Sequence, residues 1–137
     1  MRWRSPGESA RAAAMLPASR RRAERRGRTA ELFAALFMMM KGYRPLAWRL
    51  KTSRGEIDLI MKNGRRIVFV EVKSRADIDQ GLASVTQYKA QRMVDAARLW
   101  IGRNARDLGA DYRFDILVVS AYHWPRHIEN AFGAELW

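Results

Sequence analysis

Apolar and polar residues alternate most regularly in two runs near the middle of the chain. These are Gly55-Glu56-Ile57-Asp58-Leu59-Ile60 and Val68-Phe69-Val70-Glu71-Val72-Lys73, with Lys62-Asn63-Gly64-Arg65 between them. Both runs are rich in β-branched residues, and Asn-Gly between such runs is a strong hairpin signal because both residues tolerate positive φ. With Asn63-Gly64 at the tip, Lys62 faces Arg65, Asp58 faces Phe69 and Glu56 faces Glu71. Strand side chains alternate between faces. One face then carries Ile57, Leu59, Met61, Val68, Val70 and Val72 and reads as core. The other carries Glu56, Asp58, Phe69, Glu71 and Lys73.

Around this hairpin the pattern switches between helical and extended periods. Arg28 to Met40 reads as a helix, with Thr29 as N-cap and Gly42 as C-cap. Leu32 to Met40 is an unbroken apolar run, which predicts burial on most sides and is far too short to span a membrane. Tyr43 to Leu50 reads as a first strand, with Pro45 marking an edge or bulge. Thr52 to Gly55 is a turn, and Arg75 to Gly81 a polar loop. Ser84 to about Arg103 reads as a second helix whose Val85, Tyr88, Met93, Ala96, Ala97, Trp100 and Ile101 recur at core spacing. Arg113 to Ser120 reads as a central strand, and Ile128 to Phe132 as a final turn on the sheet. The order predicts an α/β sandwich, its long crossover helix allowing parallel pairing with the last strand.

Composition narrows the setting. The chain has 137 residues, 48% hydrophobic, enough for one domain with a real core. It has no cysteine, which removes disulfide and thiolate chemistry and fits a cytoplasmic setting. The formal charge is +12, which favours a polyanionic partner, nucleic acid before others. Part of that charge lies in residues 1–26, where Arg20-Arg21-Arg22 and Arg25-Arg26 form a basic block. This segment reads as a flexible arm for phosphates, an extension upstream of a start at Met15, or a transit peptide. Residues 27–137 read as the domain itself.

The candidate chemistry sits on the hairpin. On the register above, Asp58 and Glu71 are diagonal neighbours, and like charges that close repel unless a cation lies between them. Two carboxylates on rigid strands suit Mg²⁺ or Mn²⁺. Lys73 projects from the same face and could orient water or offset charge on a phosphoryl group. The competing account is an ordinary solvated outer face. Arg54 and Arg75 flank the acids and are candidates for gripping phosphates. Glu31 reads either as a carboxylate favoured by a helix N-terminus or as a further ligand. Asp115 reads as a partner for Arg113 or a support from behind, and not as a metal ligand. Pro125 between His123 and His127 argues against a helical His-x-x-x-His site. Asp77 and Asp79 lack the run that calcium loops need.

Asp58 followed by Glu71-Val72-Lys73 resembles the Asp…Glu-x-Lys core of the PD-(D/E)XK restriction endonuclease-like superfamily, which includes Holliday-junction-resolvase-like enzymes. Gly55-Glu56-Ile57-Asp58-Leu59-Ile60 with Phe69-Val70-Glu71-Val72-Lys73-Ser74-Arg75 resembles, more narrowly, the YraN-like family of proposed endonucleases. The resemblance extends through Arg113-Phe114-Asp115 and covers roughly Gly27 to Phe132. Ile57 stands where the superfamily's name has proline. The resemblance implies an αβββαβ core with a mixed sheet flanked by helices, and Mg²⁺- or Mn²⁺-dependent hydrolysis of nucleic-acid phosphodiesters, on branched DNA in repair or recombination. It implies Asp58 and Glu71 as metal ligands with the Val72 carbonyl, Lys73 as a positioning group, and Glu31 on the first helix completing the shell. Lys89 matches a lysine common in that family and is a candidate phosphate contact beside Arg54 and Arg75. DNA is favoured over RNA, a homodimer is expected, and a membrane role is not. The alternatives are a catalytically silent module that binds nucleic acid or scaffolds a complex, and a protein-interaction adaptor.

Overall fold

A computed structural model describes residues 18–104 and 109–133. The elements are α1 (Ala18–Met40), β1 (Arg44–Lys51), β2 (Glu56–Asn63), β3 (Arg66–Ser74), α2 (Ile78–Ala83), α3 (Gln87–Asn104), β4 (Asp111–Val119) and β5 (Arg126–Phe132). The strands form one sheet in the order β1-β2-β3-β4-β5. β1–β2, β2–β3 and β4–β5 pair antiparallel, and β3–β4 pair parallel. A parallel pair needs a long crossover, which α2 and α3 supply. This is the expected α/β architecture with its αβββαβ core, plus one strand. Among the described residues no helix is long and apolar enough to cross a membrane.

The sheet is covered on both faces. Ala34, Ala35 and Met38 of α1 pack on Leu59, Met61, Val68, Val70 and Leu117. Met93, Val94, Ala96, Ala97 and Trp100 of α3 pack on Ile60, Ile67, Phe69 and Phe114. Phe69 centres that second core. Its ring stacks on Phe114 at 5.2 Å and meets Trp100 edge-on at 5.9 Å, both favoured aromatic geometries. The face that carries the acids is therefore mostly core, and the account of a merely solvated outer face does not hold.

Several expectations are corrected. The hairpin tip is Gly64-Arg65, since Asn63 pairs with Arg66, Lys62 with Ile67 and Ile60 with Phe69. Gly64 alone takes positive φ, +61°, the type II′ pattern with glycine first. Arg65 is tied down by its carbonyl, which accepts the Asp111 amide at 2.8 Å, and by its guanidinium, which donates to the Gly109 carbonyl at 3.2 Å. A shift of two residues leaves the side-chain faces unchanged, which is why the core assignment survives the wrong register.

α1 begins by Ala18, not Arg28, so Thr29 is no N-cap and the helix crosses the expected boundary at residue 26. The remainder of the basic arm lies outside the described residues. Nor is α1 buried on most sides: Leu32, Phe33, Leu36, Met39 and Met40 are exposed. Ala34, Ala35 and Met38 are what face the sheet, and the two alanines let the helix lie close with one stripe. Tyr88, expected in the core, is 70% exposed. Residues 78–83 form a short helix capped by Asp77, whose carboxylate accepts the Asp79 amide at 2.8 Å. The expected final turn is the edge strand β5.

β4 and β5 are joined through Asp115, which is fully buried. Arg113 grips its carboxylate with two hydrogen bonds of 2.7 Å, His127 Nε2 bonds it at 2.6 Å, and the Asn130 amide donates to it at 3.0 Å. Arg113 also donates to the Tyr43 hydroxyl at 2.9 Å, and Lys41 meets His127 Nδ1 at 2.9 Å. The expected Arg113 pairing is therefore present within a larger network. Burial alone would raise the Asp115 pKa. Its hydrogen bonds with His127, Arg113 and Asn130 outweigh that and hold it below the ordinary value.

Candidate functional site

The site forms where β2 and β3 part. Their pairing runs from Asn63↔Arg66 to Leu59↔Val70. At the next step Asp58 stands across from Glu71, and a side chain replaces the ladder: Asp58 Oδ2 accepts the Val72 amide at 2.8 Å. On the other side, Trp48↔Leu59 and Leu50↔Ile57 bracket Arg49, whose φ is +47°. Such a conformation in a non-glycine residue costs about 1–3 kcal/mol and is found where function or packing demands it. The distortion turns Ile57 into the α3-side core, against the alternation expected from sequence. It leaves Asp58 between the two cores.

Glycine makes this end of the sheet possible. A Cβ on Gly55 would lie 2.1 Å from the Arg92 carbonyl oxygen of α3. The chain entering β2 is thus pressed against a helix backbone, which only glycine permits. Thr52 fixes the same turn. Its hydroxyl accepts the Arg54 and Gly55 amides at 3.1 and 3.0 Å and lies 2.8 Å from the Gly55 carbonyl, to which it donates.

Three acids from three elements meet here. Glu31 reaches in from α1 and is bound by the Arg49 guanidinium. Because it lies well inside the helix, the helix-terminus account of this residue no longer applies. Glu71 pairs with Lys73, Oε1 to Nζ at 3.1 Å, both side chains being largely buried. Burial pushes the Asp58 pKa well above its ordinary value, and the negative charges of Glu71 and Glu31 push it the same way against the Val72 hydrogen bond. Glu31 is also raised, by burial first and by Glu71. This is the electrostatic signature of a carboxylate cluster short of positive charge.

Cations come from the other side. Lys89, on the first turn of α3, is held below the ordinary lysine value, first by Lys73 through a hydrogen bond and repulsion, and also by Arg75. Lys73, Lys89, Arg75 and Glu71 therefore share one neighbourhood. Arg75 is exposed and follows β3 directly. Arg54 is exposed on the turn before β2, at the same end of the sheet. Glu56, opposite Glu71 on the expected register, instead pairs with Lys51 and points to solvent. Arg49 and Gly55 are the parts that residue pattern missed. Arg49 looks like a lone charge in an apolar strand, and nothing in the sequence shows that Gly55 meets a helix.

Among the described residues no three His, Cys, Asp or Glu side chains are grouped to hold a metal ion alone. Mg²⁺ does not require three. It commonly takes one or two carboxylates and fills its octahedron with water and substrate oxygens. Asp58 and Glu71, adjacent and crowded by Glu31, fit that donor set.

The crowding predicts a stability effect. Asp58 stays protonated in the fold at pH values where the unfolded chain has ionised, so folding takes up a proton. Stability then falls as pH rises from the ordinary value of 3.8 through the raised folded value. Asp58→Asn keeps an acceptor for Val72 and removes the repulsion. Without divalent metal it should melt roughly 4 °C higher at pH 7.5, about what 1 kcal/mol produces in a domain of this size. The gain should vanish below about pH 4. A pH-independent difference in scanning calorimetry would contradict the assignment.

The match to known proteins agrees with the motif. Residues 30–119 match the model of a family described as Uncharacterised protein family UPF0102. A UPF0102 protein of Methylorubrum extorquens (strain PA1) is 48% identical over 120 residues, 87% of this chain and 94% of the relative. One from Methylorubrum populi is 47% identical over 117 residues, covering 85% and 94%. Another, from Mesorhizobium japonicum, is 44% identical over 115 residues, covering 84% and 92%. The chain belongs to the UPF0102 family, the YraN-like proteins that its Gly55–Arg75 motif resembles.

Proposed function

We propose that this protein is a metal-dependent nuclease that hydrolyses nucleic-acid phosphodiesters. One observation carries the reading: Asp58, Glu71 and Lys73 converge where two strands part, with Lys89 and Arg75 beside them. A surface built only to bind phosphate gains nothing from buried acids that repel it. Asp58 and Glu71 would hold Mg²⁺ or Mn²⁺, with the Val72 carbonyl as a third donor. When bound, the ion supplies an activated water and offsets charge on the phosphoryl oxygens.

The chain's own residues do the rest. Lys73 neutralises Glu71 in the free protein and is placed to position water or the scissile phosphate when substrate arrives. Lys89 and Arg75 bind the flanking phosphates, and Arg54 extends that grip across the turn before β2. Glu31, fixed by Arg49, contributes through water and sets the charge balance that keeps the site short of a cation. DNA is the preferred substrate on the family resemblance, and two copies acting together would suit cutting of paired strands.

One observation favours a second reading, a module that binds nucleic acid without cutting it. Each acid already has a partner in the protein: Val72 for Asp58, Lys73 for Glu71 and Arg49 for Glu31. A cleavage assay separates the two. The full chain is given labelled duplex, single-stranded, flap and four-way-junction DNA, and RNA, with Mg²⁺ or Mn²⁺. Cleavage should fall at least 100-fold in Asp58→Ala and in Lys73→Ala, on the order of the loss when a preorganised group is removed from an active site, and should stop in EDTA. No cleavage of any substrate, with unchanged binding in Asp58→Ala, would establish the binding module instead.

A further inference from the structure

The connection between β4 and β5 carries two of the most exposed large side chains in the described structure. Tyr122 is 77% exposed and Trp124 83%. The loop is not a free tip. β4 runs parallel to β3, so Lys73 pairs with Val118 and Ser74 with Val119. The Arg75 amide donates to the Val119 carbonyl at 3.2 Å. The Ser120 hydroxyl donates to the Ala76 carbonyl at 3.2 Å and accepts the Tyr122 amide at 3.1 Å. The root of the loop is thus fastened to the segment leaving Lys73. Tyr122 lies four residues beyond the strand partner of Lys73, at most about 14 Å along the backbone.

We propose that Tyr122 and Trp124 form a stacking platform for unpaired nucleobases, and that the substrate is nucleic acid with single-stranded nucleotides next to the cut. The inference rests on the nuclease reading above and narrows its substrate class. Rings of this size bury about 150–250 Å² when covered, and both are left open here. Cations lie close by: Arg126 follows the loop, and Arg75 and Lys89 lie at the same end, beside the acids Asp77 and Asp79 that follow Ala76. Exposed aromatics interleaved with cations along a phosphate path are how proteins hold single strands, because every base has a face to stack. Bases inside a duplex are already stacked and offer these rings nothing. A protein partner would sooner use the continuous apolar stripe of α1 than two rings separated by His123. Tyr88 belongs to the same end, but the Arg92 guanidinium lies 5.8 Å from its ring centroid, so it is not counted in the platform.

The test measures binding by the full chain in EDTA, so that no cutting occurs. Labelled single-stranded DNA, the blunt duplex of the same sequence, and an abasic single strand are titrated by fluorescence anisotropy. Tyr122→Ala and Trp124→Ala should each weaken single-strand binding by about 10-fold, within the range for loss of one stacked base. Duplex binding should change less than about 2-fold. Trp124→Phe should restore most of the affinity, and the abasic strand should bind wild type and variants alike. Equal losses on duplex and single strand, or no loss on either, would overturn the proposal. Melting temperatures should stay near wild type because both residues are exposed. Cutting by a protein that shows no single-strand loss would refute the platform and leave the nuclease reading intact. A single-strand loss in a protein that never cuts would uphold the platform and refute the nuclease.

Discussion

Asp115→Ala should destabilise the protein by about 3–5 kcal/mol, the cost of leaving a buried charge without its partner. The substitution takes from the Arg113 guanidinium, whose side chain is only 10% exposed, its two shortest hydrogen bonds, leaving it Tyr43 at 2.9 Å and the exposed Glu129 at 3.8 Å, and removes the acceptor for His127 and for the Asn130 amide. Those groups come from β4 and β5, and Arg113 extends the network to Tyr43, between α1 and β1. The loss should therefore be global rather than a fraying of the edge strand. The midpoint of urea unfolding should fall with little change in slope, the mark of altered stability in an intact two-state transition. Asp115→Asn keeps one acceptor and should cost less. Arg113→Met added to Asp115→Leu should recover part of the loss, because removing a whole buried pair is often nearly neutral. An Asp115→Ala protein as stable as wild type would show that the network contributes specificity and not stability.

The pH dependence of this acid opposes that of Asp58. Asp115 is held below its ordinary value, so its contribution is present above about pH 3.8 and is lost as pH falls through the folded value. Asp58 is held above its ordinary value, so its penalty grows as pH rises. Two acids in one sheet thus mark two uses of burial. Asp115 has positive and hydrogen-bonding partners on every side and acts as a fastener. Asp58 has one amide and two other acids around it, and burial with their charges holds it above its ordinary value. That contrast, more than burial itself, separates the structural carboxylate from the candidate functional one.

Much of this arrangement was legible in the chain because period-2 alternation is robust to error. The expected hairpin was displaced by two residues, yet Leu59, Met61, Val68 and Val70 fell on the correct face, since only an odd shift would have inverted it. The convergence of Asp58, Glu71 and Lys73 was legible for the same reason. The true register brings Asp58 directly opposite Glu71, closer than the diagonal that an Asn63-Gly64 tip predicts. What sequence did not reveal were features set by tertiary contact. The distortion at Arg49 depends on strands that part, and an apolar run in α1 gives no sign of which side meets the sheet. Tyr88 fitted a helical core period but lies on the first turn of α3, where Gln87, Tyr88 and Lys89 are all exposed and the buried stripe begins at Ala90. β5 was missed because its polar Arg126, His127, Glu129 and Asn130 follow no clean alternation. It is held to β4 through Asp115 as much as by apolar contact.

Gly55→Ala should be the most damaging conservative change in the candidate site, costing about 3 kcal/mol, the upper range for overpacking. The added methyl would sit 2.1 Å from the Arg92 carbonyl oxygen and 2.7 Å from its carbon. Both are backbone atoms of α3, so no side-chain rotation relieves the clash. Either α3 or the start of β2 must move. α3 carries Lys89, and β2 carries Asp58 three residues after the glycine, so either movement opens the gap between the acids and the cations. A displacement of about 1 Å in such a cluster is worth on the order of 100-fold in rate. Under the proposed nuclease function, the domain that remains folded should therefore also lose its cleavage. Gly64→Ala is the matched control. Gly64 has φ +61° but nothing within 4 Å of an added Cβ, so it should cost only about 1–2 kcal/mol of backbone strain and leave cleavage unchanged. The two variants compared by calorimetry and by rate at a temperature where both are folded separate contact from conformation. If Gly55→Ala matched Gly64→Ala in both, the close approach of β2 to α3 would not be what sets the site.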